Sequence, residues 1–271
     1  MTRGRGNGAT PLVQLNGVWK TYGTGPGALN ALAEIDLDLR QGEFLSLLGP
    51  SGCGKSTLLK CVAGLEPISR GTIAVKGRPL AGPPENMGVV FQRDILLDWR
   101  TILENVLIVS EFRGRNTKAL KERACALLAR FGLAGSEERH PWELSGGMRQ
   151  RASICRALLD DPDLLLMDEP FGALDAMTRD DLNLELARLW QETGKTVLFI
   201  THGIQEAVFL SDRVAIMSRN PGRIIEWIDI DLPRPRNLDI SETPEFGEYV
   251  RLIRHRFTEL GVFGGGSPCA T

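Results

Sequence analysis

The chain contains no apolar run near the ~20 residues that a membrane-crossing helix needs, and its first residues, Met1-Thr-Arg-Gly-Arg-Gly-Asn-Gly8, lack the apolar stretch of a secretory signal. Its five cysteines (Cys53, Cys61, Cys125, Cys155 and Cys269) are odd in number and nowhere spaced C-x-x-C. That argues against a disulfide framework and a zinc site, and for a reducing compartment. Charge of one sign is missing as well: 32 Lys+Arg against 34 Asp+Glu leave a formal net of −2, too little for a whole-molecule field that would hold nucleic acid or an anionic membrane. No basic patch with interleaved aromatics makes up for it, so no nucleic-acid partner is expected. Internal repeats, low-complexity core segments and long heptad arrays are absent too. The expectation is a chain that stays in the cytoplasm.

What is present is an ordinary globular composition, 42% hydrophobic and 24% charged over 271 residues, enough for one large domain or two small ones. Both ends are Gly-rich and polar, so residues 1–11 and the tail from Gly261 are expected to fray. Ile35, Leu37 and Leu39 alternate with Asp36 and Asp38, and Ile228, Ile230 and Leu232 alternate with Asp229 and Asp231. This is the period of half-buried antiparallel strands. Phe44–Leu48, Leu164–Met167 and Val197–Ile200 instead read as parallel strands buried on both faces. Helical spacing over 117–131, stopped by Gly132, and through Leu182, Leu186, Leu189 and Trp190 adds two helices. Residues Phe246, Tyr249, Leu252, Ile253, Phe257 and Leu260 predict a packing helix near the end. The expected class is α/β, with a mostly parallel sheet, an antiparallel β-part and a helical insertion over about 93–160.

The chemistry sits where the glycines cluster. Gly49-Pro-Ser-Gly-Cys-Gly-Lys55-Ser56 fits G-x-x-x-x-G-K-[ST] between an apolar strand and an apolar helix starting at Thr57. Gly52 and Gly54 let backbone N–H groups turn towards phosphate oxygens, and the helix N-terminus favours the anion. Lys55 would reach the β and γ phosphates and Ser56 a Mg²⁺ ion. Cys53 within the loop is either a small packing residue or a thiol-sensitive point. Leu164-Leu-Leu-Met-Asp168-Glu169 ends a buried strand with two carboxylates: Asp168 suits the Mg²⁺ shell, and Glu169 can take a proton from attacking water.

Leu144-Ser145-Gly146-Gly147-Met148-Arg149-Gln150 opens a further apolar helix before the Asp-Glu strand. It resembles the signature motif of the ABC transporter ATPases, a likeness that spans about residues 12–260. The resemblance implies a RecA-like P-loop core with ATP as substrate and Mg²⁺ as cofactor, ATP contacts from Gly49, Pro50, Ser51, Gly52, Cys53, Gly54, Lys55, Ser56 and Thr57, and a head-to-tail homodimer in which Ser145, Gly146 and Gly147 meet the ATP of the partner. It further implies that Gln92, in Val89-Val-Phe-Gln92, touches Mg²⁺ and the attacking water. Asp175, in Ala173-Leu-Asp175, would cross the dimer interface, His202 would be the switch histidine, and Tyr22, in Trp19-Lys-Thr-Tyr22, would stack on adenine or simply pack. Met148 and Gly203 stand where the family more often has Gln and Asp. The resemblance places the ATPase domain at 12–235, followed by a C-terminal helix and tail.

Three functions share such a core: importer ATPase, exporter or lipid-trafficking ATPase, and soluble ABC protein. Val89–Val106, Leu144–Arg151, Glu206–Arg213 and Asn220-Pro-Gly-Arg223 resemble the nitrate/sulfonate/taurine importer group. That branch implies uptake of a small, anionic or organic solute through a separate integral membrane permease fed by an extracytoplasmic solute-binding protein, with this chain peripheral on the inner face of the membrane. Leu96, Leu97, Trp99 and Arg100 would line the permease contact or belong to the core.

Overall fold

The computed structural model of the protein describes residues 11–172, 174–219 and 221–259. Its strands are β1 (Val13–Tyr22), β2 (Leu29–Leu39), β3 (Phe44–Leu48), β4 (Arg70–Val75), β5 (Arg78–Pro79), β6 (Met87–Val90), β7 (Leu164–Asp168), β8 (Thr196–Thr201), β9 (Arg213–Met217) and β10 (Ile224–Asp229). Its helices are α1 (Lys55–Val62), α2 (Ile102–Phe112), α3 (Thr117–Arg130), α4 (Gly146–Leu158), α5 (Ala176–Thr193), α6 (Ile204–Leu210) and α7 (Pro244–Glu259).

The uninterrupted apolar runs become the centre of a six-stranded sheet of order β10-β9-β3-β8-β7-β6. Every residue of β3, β7 and β8 is buried, as strands covered on both faces must be. Alternate residues serve opposite faces. Leu45, Leu47, Leu164, Leu166, Leu198 and Ile200 join one core with α1 and the antiparallel strands. Phe44, Leu48, Leu165, Met167, Val197 and Phe199 join another with the helices from α2 to α7. The three strands run parallel in the registers Leu48↔Thr201 and Asp168↔Ile200. Their C-terminal ends therefore lie side by side, where open α/β sheets place their ligands.

A second, antiparallel sheet has the order β2-β1-β4-β5. The alternation read in β2 holds: Ile35, Leu37 and Leu39 are buried opposite Val18, Leu15 and Val13 of β1. The other alternating set lies elsewhere. β10 pairs antiparallel with β9 at the edge of the main sheet, and Ile230 and Leu232 lie beyond its end, though both stay buried. Period-two alternation reports one covered face and cannot say which sheet supplies the partner.

The helical spacing over 117–131 is α3, which Phe131 caps and Gly132 stops at φ +71°. α7 buries Phe246, Val250, Ile253 and Phe257 in the same core as α5 and α6; Leu260 lies outside the described residues. Thr101 opens α2 with a reciprocal cap, its Oγ1 accepting from Glu104 N and its own N–H donating to Glu104 Oε2. One turn on, the buried amide of Asn105 accepts from Leu97 N at 2.7 Å and donates to the carbonyls of Leu97, Arg100 and Thr101. That amide holds the preceding loop to the helix. No helix among the described residues is long and apolar enough to cross a membrane.

Candidate functional site

The loop between β3 and α1 carries the phosphate motif. Gly52 and Gly54 adopt φ of +77° and +97°, a region that glycine enters without a Cβ penalty. Lys55 is buried and folds back on its own loop, with Nζ donating to the carbonyls of Gly49 at 2.8 Å and Pro50 at 3.1 Å. Cys53 N donates to Pro50 O and closes the turn. Ser56 Oγ donates to Asp168 Oδ1 at 3.0 Å. Burial pushes the Asp168 carboxyl above the usual carboxylate range, against the bond from Ser56, and the neighbouring Glu169 pushes the same way. A carboxylate desolvated beside a second one is short of positive charge. The hard oxygen donors of Ser56 and Asp168, with the side-chain carbonyl of Gln92, suit Mg²⁺.

Glu169 follows β7 in the left-handed region, at φ +44°, with its N–H donating to Ile200 O. Its Oε2 accepts from Gln92 Nε2 at 3.2 Å and lies 3.4 Å from His202 Nδ1. Gln92, Glu169 and His202 thus meet at one oxygen, although they leave three different strands. In front of them opens a cavity of about 370 Å³ lined by Tyr22, Ser51, Gly52, Gly54, Lys55, Ser56, Thr57, Gln92 and Glu169. Tyr22 forms one wall, with the Lys20 ammonium 4.6 Å from its ring centroid. Lys20 is itself held by Glu66 and the Pro67 carbonyl, each at 2.7 Å. This cation against the ring steadies the aromatic face.

The remaining motif residues gather elsewhere. A second cavity, of about 360 Å³, is lined by Ser145, Gly147, Met148, Arg151, Leu174, Asp175 and Thr178. Ser145 caps α4 by accepting from Met148 N, and Asp175 caps α5 by accepting from Thr178 N at 2.9 Å. That bond holds the Asp175 carboxyl below its ordinary range. A Cβ on Gly147 would stand 2.9 Å from Leu174 Cδ2, so the first turn of α4 and the residue before Asp175 pack closely there. Gly146 opens α4 without lining the cavity, and Ala173 lies outside the described residues. The two cavities share no residue.

Cys53 is 1% exposed and burial pushes its thiol up, against the nearby Lys55 ammonium. Thiolate is the reactive form, so the packing reading of this residue prevails. The Leu96–Arg100 stretch divides: Leu96 packs against the core while Trp99 is 74% exposed. Three wall residues, Leu29, Asn30 and Ala31 of β2, carry no sequence signal, because only the fold brings that strand end to the loop. Lys20 could have been found two positions before Tyr22, on the same face of β1.

The loop bearing His202 is tied from both sides. Gly203 N donates to Thr201 Oγ1 at 2.9 Å, and Thr201 Oγ1 donates to Glu206 Oε2. Glu206 is buried on α6, and its Oε1 has no partner among the described residues. A Cβ at Gly203 would stand 3.3 Å from Thr201 Oγ1 and 3.5 Å from Glu206 Oε2, so an acidic side chain there would lie beside a second carboxyl. Burial pushes the Glu206 carboxyl up to about 7 from 4.5, with Arg179 opposing and Glu169 assisting. A raised acid pKa means that the folded state holds the proton more tightly. Its contribution is full below pH 4.5 and is lost as pH rises through 7. Glu206→Gln should therefore raise stability at pH 8 relative to pH 4.5, by up to about 3 kcal/mol against wild type. Denaturant titrations at the two pH values measure this, and equal pH slopes in both proteins would refute it.

The ABC transporter family model matches residues 32–172. Two relatives are each 46% identical to the chain: an ABC transporter ATP-binding protein of Methanocaldococcus jannaschii, MJ0412, over 83% of both chains, and the taurine import ATP-binding protein TauB of Escherichia coli (strain K12), over 82% of this chain and 86% of that one. A dimeric structure of the ATP-binding cassette MJ0796, in a post-hydrolysis state bound to ADP and Pi, superposes with a TM-score of 0.72 at 30% identity, covering 82% of this chain and all of the other. The loop sequences, the strand ends that carry them and these likenesses agree: the chain belongs to the ABC transporter family as an ATP-binding subunit, and it is an ATPase.

Proposed function

We propose that this ATPase works as a head-to-tail homodimer. Ser145, Gly146, Gly147 and Asp175 of one copy face the γ-phosphate of ATP held by residues 49–57 of the other. The observation that carries this reading is the division of the motif residues between two cavities with none in common; the dimeric MJ0796 cassette supports it. Backbone N–H groups of the phosphate loop and the Lys55 ammonium hold the phosphates, and Tyr22 stacks on the adenine, a contact of the kind worth ~1–3 kcal/mol. Ser56, Asp168 and the Gln92 carbonyl would hold Mg²⁺, which when bound would neutralise phosphate charge. Glu169 takes the proton of the attacking water, and Gln92 and His202 orient that water and the γ-phosphate around it.

Closure and reopening of the dimer drive a separate integral membrane permease between inward and outward access, with this chain peripheral on the inner face of the cell membrane. The helical unit over about 93–160 meets the permease, and Gln92 links it to the core. The likeness to a taurine import protein favours import over export or lipid trafficking. It also favours a small anionic or organic solute of the nitrate, sulfonate or taurine kind, delivered by an extracytoplasmic solute-binding protein.

The test is to tag the protein in its native cell, solubilise the membranes gently and identify what co-purifies. A multi-span permease together with a solute-binding protein is the expected result. A permease alone would overturn import, and no membrane partner would overturn transport. Trp99→Ala should lose the permease while keeping its rate of ATP hydrolysis, because the ring is exposed and buries little of its own fold. Undiminished co-purification would remove Trp99 from the contact.

A further inference from the structure

Asn220-Pro-Gly222-Arg223 has no part in the chemistry above. Asn220 lies outside the described residues, but the rest of the β9–β10 hairpin loop leans on the phosphate loop. A Cβ built on Gly222 would stand 2.1 Å from the carbonyl oxygen of Cys53 and 3.0 Å from that of Ala31. On its other side Gly222 pairs with β2: its N–H donates to Ala31 O at 3.1 Å, and its carbonyl accepts from Ala33 N at 2.9 Å. The hairpin is closed by Ser218 N donating to Arg223 O at 2.9 Å. Arg223 ties it outward, pairing with Glu34 at 2.9 Å and lying over the Trp19 ring at 5.7 Å. Two glycines of the phosphate loop make the same approach from within. A Cβ on Gly49 would come 2.9 Å from Met217 O, and one on Gly54 2.8 Å from Ala31 O. Gly222 is not among the positive-φ residues. Its requirement for glycine is one of space alone.

We infer that Gly222 is a positioning residue of the phosphate loop: by filling the space behind the Cys53 carbonyl it fixes the Cys53–Gly54 peptide and so aims the Gly54 N–H. The reasoning is geometric. The Cys53–Gly54 bond is not among the cis peptides, and in a planar trans peptide the C=O and N–H point in opposite directions. A carbonyl held against Gly222 therefore turns the Gly54 N–H away from the hairpin, and Gly54 lines the first cavity. Backbone from β2, from the end of β9 and from the hairpin encloses the loop, so its amides are set before any ligand arrives. Such preorganisation lowers the cost of binding. This deepens the proposed function, and it rests on residues 49–57 holding the ATP phosphates.

Gly222→Ala tests it. Displacing the loop should raise the KM for ATP about tenfold or more, as the loss of one hydrogen bond to a charged phosphate oxygen would, and change kcat far less, since Glu169 is untouched. The same shift should uncover Cys53, so maleimide labelling of that residue, followed by peptide mapping, should quicken about tenfold in the variant. Gly88→Ala is the control: its Cβ would meet Ala157 O at 2.4 Å, an equal insult where β6 packs on α4. It should lower Tm while leaving KM and Cys53 labelling within about twofold. Gly222→Ala behaving like Gly88→Ala overturns the inference. Should Gly222→Ala fail to fold, Arg223→Ala keeps the glycine but frees the hairpin; KM should rise by about two- to fivefold, and unchanged KM and labelling would overturn the inference equally. Lys55→Ala separates the two claims. ATP affinity unaffected there would sink the nucleotide site itself, whereas loss there with no effect at Gly222 sinks only the brace.

Discussion

Glu169→Gln should slow ATP hydrolysis by about a thousandfold, within the ~10²–10⁴ that a general base contributes, while ATP stays bound and the two copies stay locked together. In the proposed mechanism the carboxylate oxygen that accepts from Gln92 and neighbours His202 receives the water proton. Glutamine keeps the length and the planar end and can still accept from Gln92 through its carbonyl, so the surrounding geometry persists. What it loses is the capacity to take up a proton. In the proposed cycle reopening follows hydrolysis, so with ATP unhydrolysed the closed dimer should persist. Phosphate release in single-turnover mixtures and size-exclusion chromatography in ATP measure the two halves of this expectation. A variant as active as wild type would contradict the role of Glu169.

Lys55→Ala should weaken ATP binding by about a hundredfold. Without ligand, the ammonium spends its bonds on the carbonyls of Gly49 and Pro50; a phosphate offers it full negative charge instead. Hydrogen bonds to charged groups are worth about 1.5–3 kcal/mol each, and two lost bonds of the weaker kind already reach a hundredfold. The same substitution strips two buried carbonyls of their donor, so Tm of the ligand-free protein should fall by several degrees. Calorimetric titration with ATP and a thermal scan check both. An unchanged Kd would remove the lysine from the site.

Much of this was legible because it is local. The strand ends at Leu48 and Asp168 show in the sequence as apolar runs that stop at glycines or carboxylates, and the caps Ser145 and Asp175 stand directly before their helices. What stayed hidden depends on pairing between distant segments. Nothing in Leu29-Asn-Ala31 says that this strand end walls the first cavity. The antiparallel period of β10 is visible, but its place at the edge of the main sheet comes from its register with β9. Glu206 is an acid on the first turn of a helix, an ordinary surface position; only the burial of α6 between β3, β8 and α7 makes it hard to ionise. Gly222 reads as a turn glycine, and the carbonyl that demands it belongs to a residue 169 positions earlier.

The amide of Asn105 has a mechanical consequence. It gathers the loop around Trp99 by four hydrogen bonds, and Arg100 pairs with Glu111 on the same helix, so the loop has little compliance of its own. A displacement of the exposed indole should therefore carry the N-terminal end of α2 with it. α2 packs on α4, whose N-cap is Ser145 and whose first turn carries Gly147, so a chain of packed elements connects the indole to the second cavity.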